Sequence, residues 1–211
     1  MKEFFATSGL KMHNEWAIYI NEKVPGSNAV ANIAEVGDSS ISISSEKLLE
    51  VCEILKTGEH EFNVLQVITG CDYPEENKIE VSYILASFTK NTELILKAAL
   101  DREGALEIDT VCSVWSSANF LERETYDMLG VTFKGHPDHR RILCPEDWEG
   151  FPLRKDYTPS ETYKDMTINP VHKMNIGERE FGAKHAHIKG ASTSIKNYTV
   201  EAPADTEEIN N

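Results

Sequence analysis

Three runs with the character of β-strands follow one another closely in the middle of the chain. They cover residues 62–69, 78–87 and 92–100, and apolar and polar residues alternate most clearly in the second run. The connections at residues 71–74 and at Asn91 are short and polar. Because a parallel connection needs a crossover long enough to hold a helix, these connections predict an antiparallel meander.

Two stretches have the periodicity of amphipathic helices. The first helix is predicted from Glu46 to Gly58, with Ser44 or Ser45 as its N-cap. Its apolar face consists of Leu48, Val51, Cys52 and Leu55.

The second helix is predicted for Ala118–Leu129, capped by Ser116 or Ser117 and closed by Gly130. We expect it to bury an apolar stripe formed by Phe120, Leu121, Met128 and Leu129.

The N-terminal part of the chain carries weaker signals. Residues 1–15 are expected to hold a short helix, and residues 16–20 a strand, because Trp16, Ile18 and Ile20 alternate. A weak strand is expected at 29–36, and the sequence SISIS at 40–44 predicts a clear one. Residues 101–115 are expected to form a loop.

These elements predict an α+β fold: a two-layer domain with a largely antiparallel sheet and helices packed on it. We place that domain at residues 1–135. An extended, charged and proline-rich interface strap is expected at 136–157, and an irregular C-terminal tail at 158–211. The tail has too few apolar residues to order itself alone, so we expect it to be disordered or to lie along another protein.

The composition excludes several classes of function. The formal net charge of −14 argues against a nucleic-acid-binding protein, which needs Lys and Arg to neutralise phosphates. No apolar run approaches the roughly 20 residues of a membrane span. The protein is therefore expected to be cytoplasmic and to meet a membrane only through partners. The four cysteines include no close C-x2-C pair, and we expect them to be free thiols.

The densest concentration of unlike charge lies at residues 121–157, and it begins on the second helix. Arg123 and Asp127 have the spacing of a helical ion pair. Glu124 is expected to point toward the apolar stripe with Phe120 and Met128. It is then either a general acid–base residue with a raised pKa or, as we favour, a half-buried carboxylate bonded to a later arginine.

The loop after the second helix contains four residues that could bind a metal: His136, Asp138, His139 and Cys144. Pro137 stiffens this loop, and four ligands would have to converge from one short segment. Ordinary polar turn residues are the favoured interpretation, and no metal site is predicted.

Arg140, Arg141 and Arg154 are interpreted as anchors of a protein interface. Arginine suits bidentate, desolvated pairing with carboxylates, so these residues are expected to meet carboxylates of a partner. Solvated surface charge is the alternative, but the accompanying aromatic residues and prolines favour a rigid docking surface. No nucleotide-binding, P-loop, nucleophile-elbow or zinc-protease motif is present. A non-catalytic subunit of an assembly is therefore favoured.

The same segment resembles the C subunit of NADH–quinone oxidoreductase, which is the 30 kDa subunit family of respiratory complex I. The motifs that carry the resemblance are Glu122-Arg123-Glu124, Tyr126-Asp127, His136-Pro137, Arg140-Arg141, Trp148, and Pro152 with Arg154-Lys155-Asp156. His139 and Cys144 depart from the family's usual residues but fall on no charged position.

The resemblance implies a peripheral-arm subunit without catalytic, cofactor-binding or metal-binding residues of its own. FMN, the iron–sulfur clusters and quinone are expected on partner subunits. The partners implied are chiefly the D and B subunits of the complex, and also its I and G subunits, on the cytoplasmic side of a bacterial inner membrane. The motif residues are expected to form the interface with them. The alternatives are the equivalent subunit of a related membrane-bound hydrogenase or other donor-specific complex, and, more distantly, a stand-alone metalloenzyme.

Overall fold

The computed structural model describes residues 2–34, 37–160 and 162–168. Residues Met1–Thr158 belong to one compact unit, and the described residues after Pro159 belong to a second. Most of the predicted tail lies outside the described residues. In its described part, a short hairpin pairs two strands of two residues each.

The elements of the chain are as follows: α1 (Lys2–Lys23), β1 (Val30–Asn32), β2 (Ser40–Ile43), α2 (Leu48–Thr57), β3 (Val64–Tyr73), β4 (Lys78–Ser87), β5 (Thr92–Asp101), β6 (Glu107–Asp109), α3 (Ala118–Leu129), β7 (Thr132–Lys134), β8 (Thr162–Tyr163) and β9 (Met166–Thr167). Single 3-10 turns precede α2 and β4, at Ser45–Lys47 and Pro74–Glu76.

A five-stranded sheet with the order β1-β2-β5-β4-β3 forms the main layer. The meander of β3, β4 and β5 is antiparallel throughout, as predicted. β2 joins the other side of β5 in parallel, and β1 closes that edge in antiparallel register. The α+β class with a largely antiparallel sheet is confirmed.

The predicted strand at residues 16–20 is wrong, because α1 continues through it to Lys23. The buried residues Trp16, Ala17 and Ile20 recur at helical spacing, whereas Ile18 is 59% exposed. Trp16 and Ile20 fit both an alternating strand and one face of a helix. The pattern of three residues therefore could not separate the two.

β3 is longer than predicted, since it runs through Gly70 to Tyr73. The chain turns instead at Pro74–Glu76, and Asn77 takes a left-handed conformation (φ 49°). Gly70 serves close packing and does not end the strand. A Cβ atom there would lie 2.3 Å from Leu129 Cδ1 of α3.

The predicted ends of α2 and α3 at Gly58 and Gly130 are confirmed. Ser117 is the N-cap residue of α3, as predicted, whereas the N-cap of α2 is Lys47 and not Ser44 or Ser45. Neither Ser44 nor Ser117 makes a side-chain cap. The Ser117 hydroxyl donates to the Leu65 carbonyl, which ties the start of α3 to strand β3 (3.3 Å).

A two-stranded parallel sheet, β6 with β7, lies partly within the stretch expected to be a loop, and the sequence does not predict it. Each strand has three residues, too few to show a periodic signal. These strands bracket α3 in sequence. The segments that follow them bond to α3, Thr110 and Val111 at Glu122 and His136 at Asn119.

We expect Gly70→Ala to destabilise the protein by about 1–3 kcal/mol, because α3 or the Leu129 side chain must move to admit the methyl group. Urea unfolding measures the change. The control is Thr69→Ala at the neighbouring exposed position of the same strand. Equal stability of Gly70→Ala and wild type would contradict the close approach of α3 to the sheet.

Candidate functional site

Helix α3 buries a charged face. Its buried side chains include Glu122, Arg123 and Asp127. Of the apolar stripe expected from the sequence, Leu129 is buried, but Phe120 is 62% exposed. The helix is therefore oriented by polar partners as well as by apolar packing, which periodicity alone does not reveal.

Glu122 is fully buried and bonded to the segment after β6. Its carboxylate accepts hydrogen bonds from the Thr110 hydroxyl (2.5 Å) and the Val111 amide (2.8 Å). The Cys112 thiol lies 3.5 Å from the same carboxylate. Burial nevertheless raises the pKa of Glu122 above its ordinary value.

His136 completes this cluster from the loop after β7, and its side chain is fully buried. Its Nδ1 accepts the Asp138 amide (3.0 Å), so the proton of the neutral ring lies on Nε2. Nε2 lies 3.1 Å from the Asn119 carbonyl and 3.9 Å from the Glu122 carboxylate. His136 therefore acts as a hydrogen-bond donor that joins the loop to α3.

Among the described residues, Cys112, Glu122 and His136 form a group whose ligand atoms lie within 4.8 Å of one another. These are ligand types that zinc accepts. However, Nε2 of His136 would have to give up its proton and its hydrogen bond to the Asn119 carbonyl. The geometry fits a hydrogen-bonded cluster better than a metal site, and the absence of a metal stays a prediction.

The loop residues considered as metal ligands have other roles. His139 accepts the Phe133 amide at Nε2 (3.1 Å) and packs against Tyr126, with 4.2 Å between ring centroids. Asp138 pairs with Arg140 and Arg123. Pro137, which precedes Asp138, is exposed.

Two predictions for α3 are wrong. Glu124 is not the half-buried, arginine-bonded carboxylate expected from the sequence. It is exposed, because the buried face of the helix centres on its neighbours Glu122, Arg123 and Asp127. Arg123 and Asp127 do not form the expected pair with each other. Each instead binds the segment that follows the helix.

Asp127 is the main attachment point of that segment. Its Oδ2 accepts three consecutive backbone amides, those of Ile142 (3.1 Å), Leu143 (2.7 Å) and Cys144 (2.7 Å). Its Oδ1 accepts the Arg141 guanidinium (2.7 Å). Burial alone would raise the pKa of Asp127, but these donors outweigh it and lower the pKa below its ordinary value.

Arg123 holds the backbone of the same segment from the other side. It is 7% exposed and donates to the carbonyls of Arg140 (3.1 Å) and Arg141 (3.3 Å). Arg141 in turn donates to the Gly150 carbonyl (2.9 Å). Arg141 thus links two parts of the strap, residues 140–144 and residues 150–154. The strap is defined as residues 136–157.

The second part of the strap, residues 150–154, is bonded to the C-terminal end of α3. The Leu153 amide donates to the Met128 carbonyl (3.0 Å), and Arg154 donates to the Leu129 carbonyl (2.7 Å). A cation at this end is favoured by the helix dipole. The Phe151 ring lies 5.2 Å from the Arg141 guanidinium and 4.8 Å from that of Arg154. Pro152, between these anchors, is half-buried.

The conformation of Gly130 is required by this arrangement. Its φ of 80° favours glycine, and a Cβ atom would lie 2.6 Å from the Phe151 ring.

The end of the strap is fixed to strand β3. The buried Asp72 carboxylate accepts the Lys155 amide (2.8 Å) and pairs with Arg102 (2.8 Å), which also pairs with Asp156 (2.9 Å). Burial raises the pKa of Asp72, yet its hydrogen bonds with Arg102 and Lys155 lower it overall. Trp148 donates its indole N–H to the Tyr157 hydroxyl (3.1 Å).

The strap is held by polar bonds and contributes no side chain to the hydrophobic core, whose described members end at Phe133. From the sequence, Arg141 and Arg154 are expected to meet carboxylates of a partner. The structure instead shows both guanidiniums bonded within the chain. A further contact with a partner stays a prediction.

Sequence reasoning missed the roles of Asp72 and Arg102, which are 30 residues apart and meet only in the folded sheet. For Asp127 a signal existed. A carboxylate in the last turn of a helix opposes the helix dipole, and this indicates a specific partner.

The fold and site define a class: an α+β domain whose charged helix holds a C-terminal strap. A sequence pattern of the family described as "Respiratory-chain NADH dehydrogenase, 30 Kd subunit" matches residues 41–163. The chain belongs to this family.

Curated relatives agree with the family. The C subunit of an NADH-quinone oxidoreductase from Chlorobium phaeobacteroides is 40% identical over 146 residues, which cover 63% of this chain and 87% of the relative. The C subunit of the F(420)H(2) dehydrogenase of Methanosarcina mazei is 41% identical over 127 residues (59% and 79%). The J subunit of the NAD(P)H-quinone oxidoreductase of Prochlorococcus marinus is 38% identical over 170 residues (72% and 97%).

Two solved structures are similar. The trypsin-resistant fragment (1-134) of Nqo5 has a TM-score of 0.50 and 28% identity, and covers 58% of this chain and 98% of that chain. A chain of the membrane-bound sulfane sulfur reductase, an archaeal respiratory membrane complex, has a TM-score of 0.58 and 22% identity (88% and 98%). The second likeness concerns the fold alone. Within the described residues, no helix is both long and apolar enough to cross a membrane.

We expect Asp127→Asn to destabilise the protein by about 3 kcal/mol. An asparagine that keeps its oxygen toward the three amides presents its NH2 group to Arg141, so this half-buried guanidinium loses its carboxylate partner. Urea unfolding at neutral pH measures the loss.

The control for Asp127→Asn is Glu124→Gln, an exposed position on the same helix, which should change stability by less than about 0.5 kcal/mol. Because the folded pKa of Asp127 is lowered, its contribution is lost as pH falls through that value. The stability difference between Asp127→Asn and wild type should therefore shrink in acid. A constant difference would contradict the assigned ionisation.

Glu122→Gln should show the opposite pH dependence. The folded pKa of Glu122 is raised, so the stabilising contribution of its protonated form is lost as pH rises from about 4 through the folded value. Relative to wild type, the Gln variant should become more stable as pH increases. Thermal unfolding between about pH 4 and 8 tests this, and a difference that does not change with pH would contradict the raised pKa of Glu122.

Proposed function

We propose that this chain is a non-catalytic peripheral-arm subunit of a proton-translocating NADH:quinone oxidoreductase. Its role is to support the quinone-site subunits during electron transfer from NADH to quinone. Membership of the 30 kDa subunit family and the similarity to curated relatives that are C and J subunits of quinone oxidoreductases support this proposal.

The observation that carries the non-catalytic part is the use of the charged motif. Glu122, Arg123 and Asp127 are buried, and each is bonded to backbone groups of the surrounding segments. Bonds of this kind, made to the chain's own backbone, support a structural role for the three side chains. FMN, the iron–sulfur clusters and quinone then belong to partner subunits.

The partners that we propose are chiefly the D and B subunits of the complex, together with its I and G subunits. The location is the cytoplasmic side of a bacterial inner membrane, which the chain meets only through the complex. The net charge of −14 supports the absence of nucleic acid among the partners.

A related donor-specific complex is a second candidate. The similarity to the F(420)H(2) dehydrogenase relative is as high as the similarity to the NADH-quinone oxidoreductase relative (41% against 40%). The two candidates share the architecture of this chain and differ in the electron donor of the complex.

Co-purification from native membranes tests the proposal. A tagged full-length chain should bring down the subunits of a respiratory complex, and the isolated complex should reduce quinone with NADH. Activity with a reduced deazaflavin or with hydrogen in place of NADH would favour the second candidate. A solitary monomer in native extracts would contradict both.

A further inference from the structure

The first residues of the strap, 136–139, include two histidines, and the second of them is bonded to the domain. Nε2 of His139 accepts the backbone amide of Phe133 on strand β7 (3.1 Å). A ring nitrogen that accepts an amide carries no proton, whereas both nitrogens of a protonated imidazole are donors. The bond between His139 and β7 therefore exists only while the imidazole is neutral.

The amide that His139 accepts belongs to a buried residue. Phe133 is 2% exposed and is the last described member of the hydrophobic core. A buried amide that loses its acceptor is costly, because it has left water without gaining another bond. Protonation of His139 thus weakens the attachment of the strap at its first residues and leaves a strand amide unsatisfied.

Aromatic rings pack around His139. The centroid of the Tyr126 ring of α3 lies 4.2 Å away, and those of His136 and Phe133 lie 5.7 Å and 6.4 Å away. Burial, together with the neighbouring His136, lowers the pKa of His139 below its ordinary value of 6.5. The Tyr126 ring can attract a cation, but this attraction gives the Phe133 amide no new acceptor.

The charged groups of the surrounding elements are paired with one another. The pairs are Asp138 with Arg140 and Arg123 (3.0 Å and 3.4 Å), and Lys134 of β7 with Glu107 (2.9 Å). Asp138 is the carboxylate nearest to His139 in the sequence. Two guanidiniums thus share this carboxylate before His139 takes up a proton.

We propose that His139 is a pH-sensitive attachment of the strap to the domain: the neutral imidazole holds residues 136–139 on β7, and the protonated imidazole releases them. Histidine suits this role, because its charge changes near neutral pH. The inference goes beyond the proposed function, since it concerns the chain itself and holds whichever complex contains it.

The direction of the pH dependence follows from the bond. Because the folded state favours the neutral ring, the contribution of His139 is present above pH 6.5 and is lost as pH falls below it. Glu122, which faces His136 from α3 (3.9 Å), acts with the opposite sign, since its pKa is raised. Asp127 loses its contribution only in stronger acid, because its pKa is lowered. Weakening of the attachment in mild acid is therefore attributed to His139.

Hydrogen exchange of the Phe133 amide in the purified full-length chain tests the proposal. Its protection factor, which corrects for the intrinsic pH dependence of exchange, is measured at about pH 7.5 and about pH 5.5. Protection should fall by up to about tenfold in the acidic sample, since one pH unit below the ordinary pKa of histidine can change the opening equilibrium by that factor.

Two substitutions separate the hydrogen bond from the charge. The side-chain carbonyl of His139→Gln can accept the Phe133 amide and does not titrate, so protection should be equal at the two pH values. His139→Leu offers no acceptor. Its Phe133 amide should be less protected than in wild type at about pH 7.5, again with no difference between the two pH values.

The matched control is His60→Gln, which removes a half-buried histidine outside the strap whose pKa is also lowered by burial. This variant should keep the pH dependence of wild type. Equal protection of wild-type Phe133 at the two pH values would overturn the proposal. A pH dependence that persists in both His139 variants, or one that disappears in His60→Gln, would overturn it as well, because the titrating group would then lie elsewhere.

Discussion

The conformation of the strap depends on the carboxylate of Asp127. It lies in the last turns of α3, buried, where the helix dipole and desolvation both disfavour a negative charge. Three backbone amides and one guanidinium compensate for that cost. The same bonds set the direction of the chain after the helix. Because one oxygen accepts all three amides, the backbone of residues 142–144 bends around it, and the side chains of Ile142 and Leu143 are exposed.

The arginines around this carboxylate bind the backbone of the strap and of the helix end. Arg123, Arg141 and Arg154 each bind backbone carbonyls at the end of the helix or in the strap that follows it. A segment without regular secondary structure needs such donors, since its carbonyls cannot bond to each other in a ladder. Phe151 between two guanidiniums adds apolar contact where the strap has little other burial. Charge in this segment therefore replaces the hydrophobic core that so short and irregular a stretch cannot build.

Sequence reasoning succeeded where structure follows from local periodicity. Strand β4 and helix α3 have their predicted bounds, because alternation and glycine signals are contained within each element. It failed where a pattern was short or fitted two periods, as at Trp16 and Ile20. The sequence does not predict the hydrogen-bond donors of Asp127 and Glu122, because a carboxylate gives no indication of which distant amide it will accept. The resemblance of the charged motif identifies the family, but it does not predict which way each charged side chain points.

The separation of the core from the strap bears on the order of events in synthesis. The described core ends at Phe133, so the sheet and its helices can become compact as soon as that much of the chain has left the ribosome. At that stage the donors that bond to Asp127 are not yet available, because they come from residues 141–144. The exposed Leu143 and Leu153 acquire their positions only after α3 is in place to receive the strap. A domain in which α3 is not in place therefore cannot fix the strap, because the amides of residues 142–144 and of Leu153 have their acceptors on that helix.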